Sequence, residues 1–168
     1  IIERINTNIE YVPNDISIGK DDNGFLLYGV NSIGKSSLMK SIGLTITMAQ
    51  AGMYVPCSEF IYNPYESIFS RILGNDNLFK GLSTFAVEMC ELRSILKRCD
   101  SKSLILGDEL CSGTESVSAQ SIFAASVIRL VAKNTNFIFA THLHELCRME
   151  KIVNLENIDM FHLKVIYD

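Results

Sequence analysis

Gly29-Val30-Asn31-Ser32-Ile33-Gly34-Lys35-Ser36 is the stretch that decides how this chain folds. It has the form G-x-x-x-x-G-K-S. Before it stands Gly24 to Tyr28 (GFLLY), a short apolar run of the kind that forms a buried strand. After it, Lys35 to Gln50 predicts a helix, with good helix formers and apolar residues at Leu38, Ile42 and Ile46. Strand, glycine-bounded loop and helix, in that order, are the setting in which such a loop holds phosphate. Gly29 and Gly34 allow backbone shapes that turn amide N–H groups toward one anion. The helix adds its positive N-terminal end. On this reading Gly29, Val30, Asn31, Ser32, Ile33, Gly34, Lys35, Ser36 and Ser37 surround the phosphates of a nucleoside triphosphate. Lys35 reaches the β- and γ-phosphates, and the Ser36 hydroxyl ligates Mg²⁺.

Leu104-Ile105-Leu106-Gly107-Asp108-Glu109 is the second element: a buried strand ending in two adjacent acids. Two carboxylates at one strand tip repel each other unless a cation joins them. Asp108 is expected to hold Mg²⁺ through its water shell, because Mg²⁺ keeps several waters and prefers a carboxylate. Glu109 is expected to orient or deprotonate the attacking water. The pair alone would also suit a charge cluster before the next helix. Thr141-His142 follows a third apolar run, Asn136 to Ala140, and sets a polar pair at that strand tip. His142 is a candidate to sense the γ-phosphate or hold the water; standing alone it would equally be a solvated loop histidine. Ser83 precedes a predicted helix from Thr84 to about Arg98, with Phe85, Met89, Leu92 and Leu96 on one stripe. Such a cap binds anions, although most serve only their own helix.

The remaining pattern is consistent with one architecture. Ser67 to Leu73 and Ser103 to Gly107 read as strands, and Glu115 to Lys133 as a long helix with Ile122, Val127 and Leu130 inward. Leu143 to Glu150 reads as a short helix, with Ile152 to Leu155 and Ile158 to Tyr167 as strands. Continuous apolar strands separated by helices imply an α/β fold, a mostly parallel sheet flanked by helices on both faces. Functional residues then gather at the carboxyl ends of the strands.

Length and composition exclude several alternatives. The chain's 168 residues suffice for one α/β domain with a proper core. A net charge of −4 argues against a basic nucleic-acid grip within this segment. Cys57, Cys90, Cys99, Cys111 and Cys147 form no C-x-x-C pair and read as reduced thiols, mostly apolar filler. His142, His144 and His162 complete no zinc pattern with them. Such reduced thiols are expected of an intracellular protein; no apolar run is long enough to span a membrane and no leader precedes Ile1. The abrupt ends suggest a domain, residues 1–168, cut from a longer protein at both sides.

Four motifs in this order resemble those of the MutS DNA mismatch-repair ATPases, members of the ABC class of P-loop NTPases. They are G-x-N-x-x-G-K-S at Gly29 to Ser36, S-T-F-x-x-E-M at Ser83 to Met89, L-I-L-G-D-E-L-C-S-G-T-E at Leu104 to Glu115, and A-T-H at Ala140 to His142. The wording G-D-E-L-C-S-G-T-E is similar to the subgroup of giant viruses and octocoral mitochondria. The resemblance implies Mg-ATP binding and hydrolysis that drives a DNA clamp. Two domains would meet head to tail, as a homodimer or a MutS-like heterodimer, and mismatched duplex DNA would be read by parts absent from this chain. It implies that Asn31 supports the γ-phosphate and the water, that Ser83 contacts nucleotide on the other subunit, and that Tyr11 stacks on adenine. Cys111-Ser112-Gly113-Thr114 would form the turn at the dimer interface. The chain departs from the family at Val30, usually proline, at Ile33, usually glycine, and at Ser112, usually arginine. Another ABC-type DNA-repair or recombination ATPase, or a non-catalytic nucleotide-gated dimerisation module, are the competing readings.

Overall fold

A computed structural model describes residues 12–19, 22–29, 33–71, 84–111 and 114–163. Its elements run β1 (Gly24–Tyr28), α1 (Lys35–Gln50), β2 (Ser67–Arg71), α2 (Thr84–Arg98), β3 (Ser103–Asp108), α3 (Ser116–Ala132), β4 (Asn136–Thr141), a 3-10 helix (His144–Arg148), α4 (Glu150–Val153) and β5 (Ile158–His162). The strands form one sheet in the order β2-β3-β4-β1-β5. Every pairing in it is parallel. Parallel strands must be covered on both faces, and β3 is buried along its whole length.

Alternation along the strands sorts two cores. Phe25, Leu27, Leu104, Leu106, Ile138 and Ala140 face α1, where Met39 and Ile46 meet them. Leu26, Ile105, Phe137 and Phe139 face the other way, onto Leu92 and Ile95 of α2 and Phe123, Val127 and Leu130 of α3. The aromatic rings interlock there: Phe123 meets Phe139 edge-on at 5.4 Å between centroids. Helix α1 presses close to the sheet because residue 43 has no side chain. A Cβ at Gly43 would stand 2.4 Å from Leu106 Cδ1.

Some helix faces are rotated from the predicted stripes. In α1 the buried line is Lys35, Met39, Gly43 and Ile46, while Leu38 and Ile42 are half-buried at its edge. In α2 the buried line is Glu88, Leu92 and Ile95, continued by Cys99, so Phe85, Met89 and Leu96 flank it. In α3, Ile122 is half-buried beside the fully buried Phe123, Val127 and Leu130.

The expected strand at Ile152 to Leu155 is corrected to a helical turn. Ile152 and Val153 both donate to the Met149 carbonyl, at 2.8 and 3.0 Å, and Asn154 donates to Glu150 at 3.0 Å. Four residues are too few for periodicity to separate a strand from a helix. Burial of Ile152 against the α3 core decides the conformation. The expected helix from Leu143 is a 3-10 turn over His144–Arg148, and Met149 stands in an extended conformation between it and α4. Strand β5 is paired as far as His162, and residues 164–168 lie outside the described residues.

Candidate functional site at the strand tips

The register brings the tips of β3, β4 and β1 side by side. Asp108 pairs with Ala140, and Thr141 pairs with Tyr28. Strand β4 therefore lies between the strand that ends in the two acids and the strand that runs into Gly29. Two strand spacings, roughly 10 Å, separate those outer two strands.

Gly29 adopts φ 144° and Gly34 φ 97°, both in the region glycine favours. A Cβ at residue 29 would stand 2.6 Å from Ile33 Cδ1. Ile33 is thus seated against the bare face of Gly29. Gly34 has open space around it, so its need for glycine is conformational alone. It also stands at the N-cap of α1, where no side chain caps the helix. The first-turn N–H groups of a helix lack intrahelical partners, so an end capped by no side chain suits an anion. Lys35 is 5% exposed, and its Nζ donates to the Gly29 carbonyl at 2.7 Å. Its ammonium is thereby held at the end of β1. Ser36 is half-buried beside it and Ser37 is exposed.

Asp108 is 7% exposed, and its Oδ1 is buried with no hydrogen-bond partner among the described residues. A buried carboxylate oxygen is costly without a donor or a cation. Glu109, the next residue, is half-buried with φ 49°. Its N–H donates to the Ala140 carbonyl at 2.9 Å, which fixes the tip of β3 to the end of β4. Thr141 is buried, and its Oγ1 accepts from the Leu143 N–H at 3.1 Å, which bends the chain sharply after β4. His142 sits in that bend with its side chain exposed.

The structure thus brings Gly29, Ile33, Gly34, Lys35, Ser36, Asp108, Glu109 and His142 to one edge of the sheet. Tyr11, Val30, Asn31, Ser32 and Ser83 lie outside the described residues, as do Ser112 and Gly113. Among the described residues no cluster of three His, Cys, Asp or Glu side chains is grouped as a metal site. No described helix is long and apolar enough to cross a membrane.

One residue was missed by the sequence reading. Glu88 is 4% exposed, and its Oε1 accepts from the Cys111 N–H at 2.6 Å. The signal lay in the spacing: Glu88, Leu92, Ile95 and Cys99 are one helical face, so a carboxylate occupies a core position. Burial, and then the nearby Glu88 carboxylate, push the Cys111 thiol up to about 11. Among the described cysteine side chains, Cys57 and Cys90 are exposed, while Cys99 and Cys111 are buried as expected of core thiols.

Comparison with known proteins gives consistent matches to one family. The family model for MutS domain V matches residues 25–167. A mutS homologue of Acanthamoeba polyphaga mimivirus, named as a DNA mismatch repair protein, is 39% identical across the whole chain. The mitochondrial DNA mismatch repair protein mutS homologue of Sarcophyton glaucum is 44% identical over 89% of the chain. DNA mismatch repair protein MutS of Clostridium perfringens is 41% identical over 89% of it. The chain spans 18%, 15% and 17% of those proteins respectively, so it corresponds to less than a fifth of each. On both the domain model and these identities, the chain belongs to the MutS family.

Proposed function

We propose that this chain is the P-loop, ABC-type ATPase domain of a MutS-like DNA mismatch-repair protein, binding and hydrolysing Mg-ATP at the tips of β1, β3 and β4. The observation that carries the reading is the Asp108 carboxylate, buried at the strand tip with an oxygen that no described residue satisfies. Mg²⁺ is a hard cation that takes oxygen ligands and retains water. Asp108 and the Ser36 hydroxyl offer oxygen on the two sides of the crevice, so the donor set fits the ion. Mg²⁺ bound there would neutralise charge on the β- and γ-phosphates. The strand order supports the same class, because β4 carries Thr141-His142 between the loop strand and the acidic strand.

Each side chain has a task in this mechanism. Lys35 gives up its contact with the Gly29 carbonyl and donates to the β- and γ-phosphate oxygens. The N-terminal amides of α1, with Gly29, Val30, Asn31, Ser32, Ile33, Gly34, Ser36 and Ser37, cradle the phosphates. Glu109 orients the attacking water and accepts its proton. His142 and Asn31 fix that water and the γ-phosphate, Tyr11 stacks on adenine, and Ser83 reaches the nucleotide of a second domain. Most of the rate comes from electrostatics arranged before the reaction starts. Two such domains, alike or from a MutS-like partner, act around two nucleotides and reset a clamp on mismatched DNA held by the rest of the protein.

The test is nucleotide binding and ATP turnover by the full-length protein with Lys35→Ala and Glu109→Gln. Loss of binding in the first is expected, together with retained binding and lost turnover in the second. Unchanged turnover with Glu109→Gln would reject the hydrolytic mechanism and leave a nucleotide-gated dimerisation module.

A further inference from the structure

The turn that follows Asp108 contains two left-handed residues that are not glycine. Glu109 has φ 49° and Cys111 φ 66°. Each such conformation is strained and persists only where its surroundings over-determine it. Two hydrogen bonds do so here. The Glu109 N–H is taken by the Ala140 carbonyl of β4, and the Cys111 N–H by the Glu88 carboxylate of α2. The first is backbone to backbone and tolerates any side chain. The second depends on one residue, reaching across 23 positions in sequence.

A carboxylate is an expensive choice for that place. Glu88 is 4% exposed on the line occupied otherwise by Leu92, Ile95 and Cys99, where leucine would pack without desolvating a charge. What the carboxylate supplies is an acceptor at a defined reach. It accepts the N–H of the left-handed Cys111. Charge-assisted bonds of this kind are short and strong, as the 2.6 Å separation is.

We propose that Glu88 is a positioning residue for the ATPase site: it holds the Glu109–Cys111 turn in its left-handed form and so aims the Glu109 carboxylate at the water. Glu88 itself touches no nucleotide. It also joins the acidic strand tip to α2, the helix whose start follows Ser83. This inference rests on the Mg-ATP reading above.

The two conservative variants separate reach from charge. Glu88→Asp keeps the charge and withdraws the acceptor by one methylene. Glu88→Gln keeps the acceptor and removes the charge. Steady-state ATP turnover and nucleotide affinity are measured on the full-length protein, with Lys35→Ala alongside. Glu88→Asp is expected to lower kcat at least tenfold while nucleotide affinity stays within about twofold, because the phosphate loop is untouched. Glu88→Gln is expected to rescue kcat to at least half of the unsubstituted value. Wild-type kcat in Glu88→Asp, or equal losses in both variants, or a fall in affinity parallel to the fall in kcat, would each overturn the proposal. If Lys35→Ala binds nucleotide normally, the Mg-ATP reading itself fails, and the role assigned to Glu88 falls with it. Normal loss in Lys35→Ala with no effect of Glu88→Asp rejects the Glu88 role alone.

Discussion

Replacing Asp108 by asparagine should make the nucleotide-free protein more stable and less active at once. The Asp108 Oδ1 is buried, and no described residue satisfies it. An unsatisfied buried polar group costs about 1–3 kcal/mol, and a charged one more than a neutral one. Asparagine keeps the shape of the side chain and removes the charge, so packing is unchanged while the larger penalty is relieved. A gain of about 1–2 kcal/mol without nucleotide follows from that difference. For a domain of 168 residues this raises the melting temperature by about 2–8 °C. Thermal unfolding of the purified protein, followed with and without Mg-ATP, reads both halves of the claim. On the proposed function, Mg-ATP is expected to raise the midpoint of the unsubstituted protein, since a ligand bound only to the folded state stabilises it. In Asp108→Asn the midpoint starts higher, Mg²⁺ adds little, and turnover is lost. A variant that melts lower than the parent without nucleotide, or that retains Mg²⁺-dependent turnover, would refute the argument that Asp108 is strained in wait for a cation.

Two further expectations concern the frame. Phe139→Ala should cost about 3–5 kcal/mol, seen as a lower denaturant midpoint with an unchanged slope, because its ring is fully buried between Phe123 and Phe137. Cys111 should resist iodoacetamide at pH 8 while exposed Cys57 and Cys90 react, since raising its thiol from 9.0 to about 11 makes the thiolate roughly a hundredfold scarcer. The same shift has a stability sign. The folded state favours the protonated thiol, so this contribution is complete below about pH 9 and is lost as pH rises through about 11. Denaturant unfolding at pH 8 and pH 11 should show that loss diminished in Cys111→Ala.

The sequence by itself determined a good deal here. It placed β1, β3 and β4, because a run buried on both faces must be apolar throughout and because Gly29, Asp108 and the Thr141-His142 pair mark where they stop. It also set Gly29 just after β1, and Asp108 and Glu109 at the end of β3, since glycine and charged residues punctuate apolar runs. It did not determine the helical turn at Ile152, where a short apolar run fits a strand equally and contact with the α3 core chose. Tertiary structure alone decided the order β2-β3-β4-β1-β5, which sets β4 between the loop and the acids. Spacing aligns Glu88 with Leu92, Ile95 and Cys99, but packing chose that line over the neighbouring one through Phe85, Met89 and Leu96 as the buried face of α2. The partner of Glu88 is the N–H of Cys111, and a backbone group leaves no mark in the sequence. Nor could the sequence show that Asp108 ends with a buried oxygen no described residue satisfies, since that follows from how three strands end side by side.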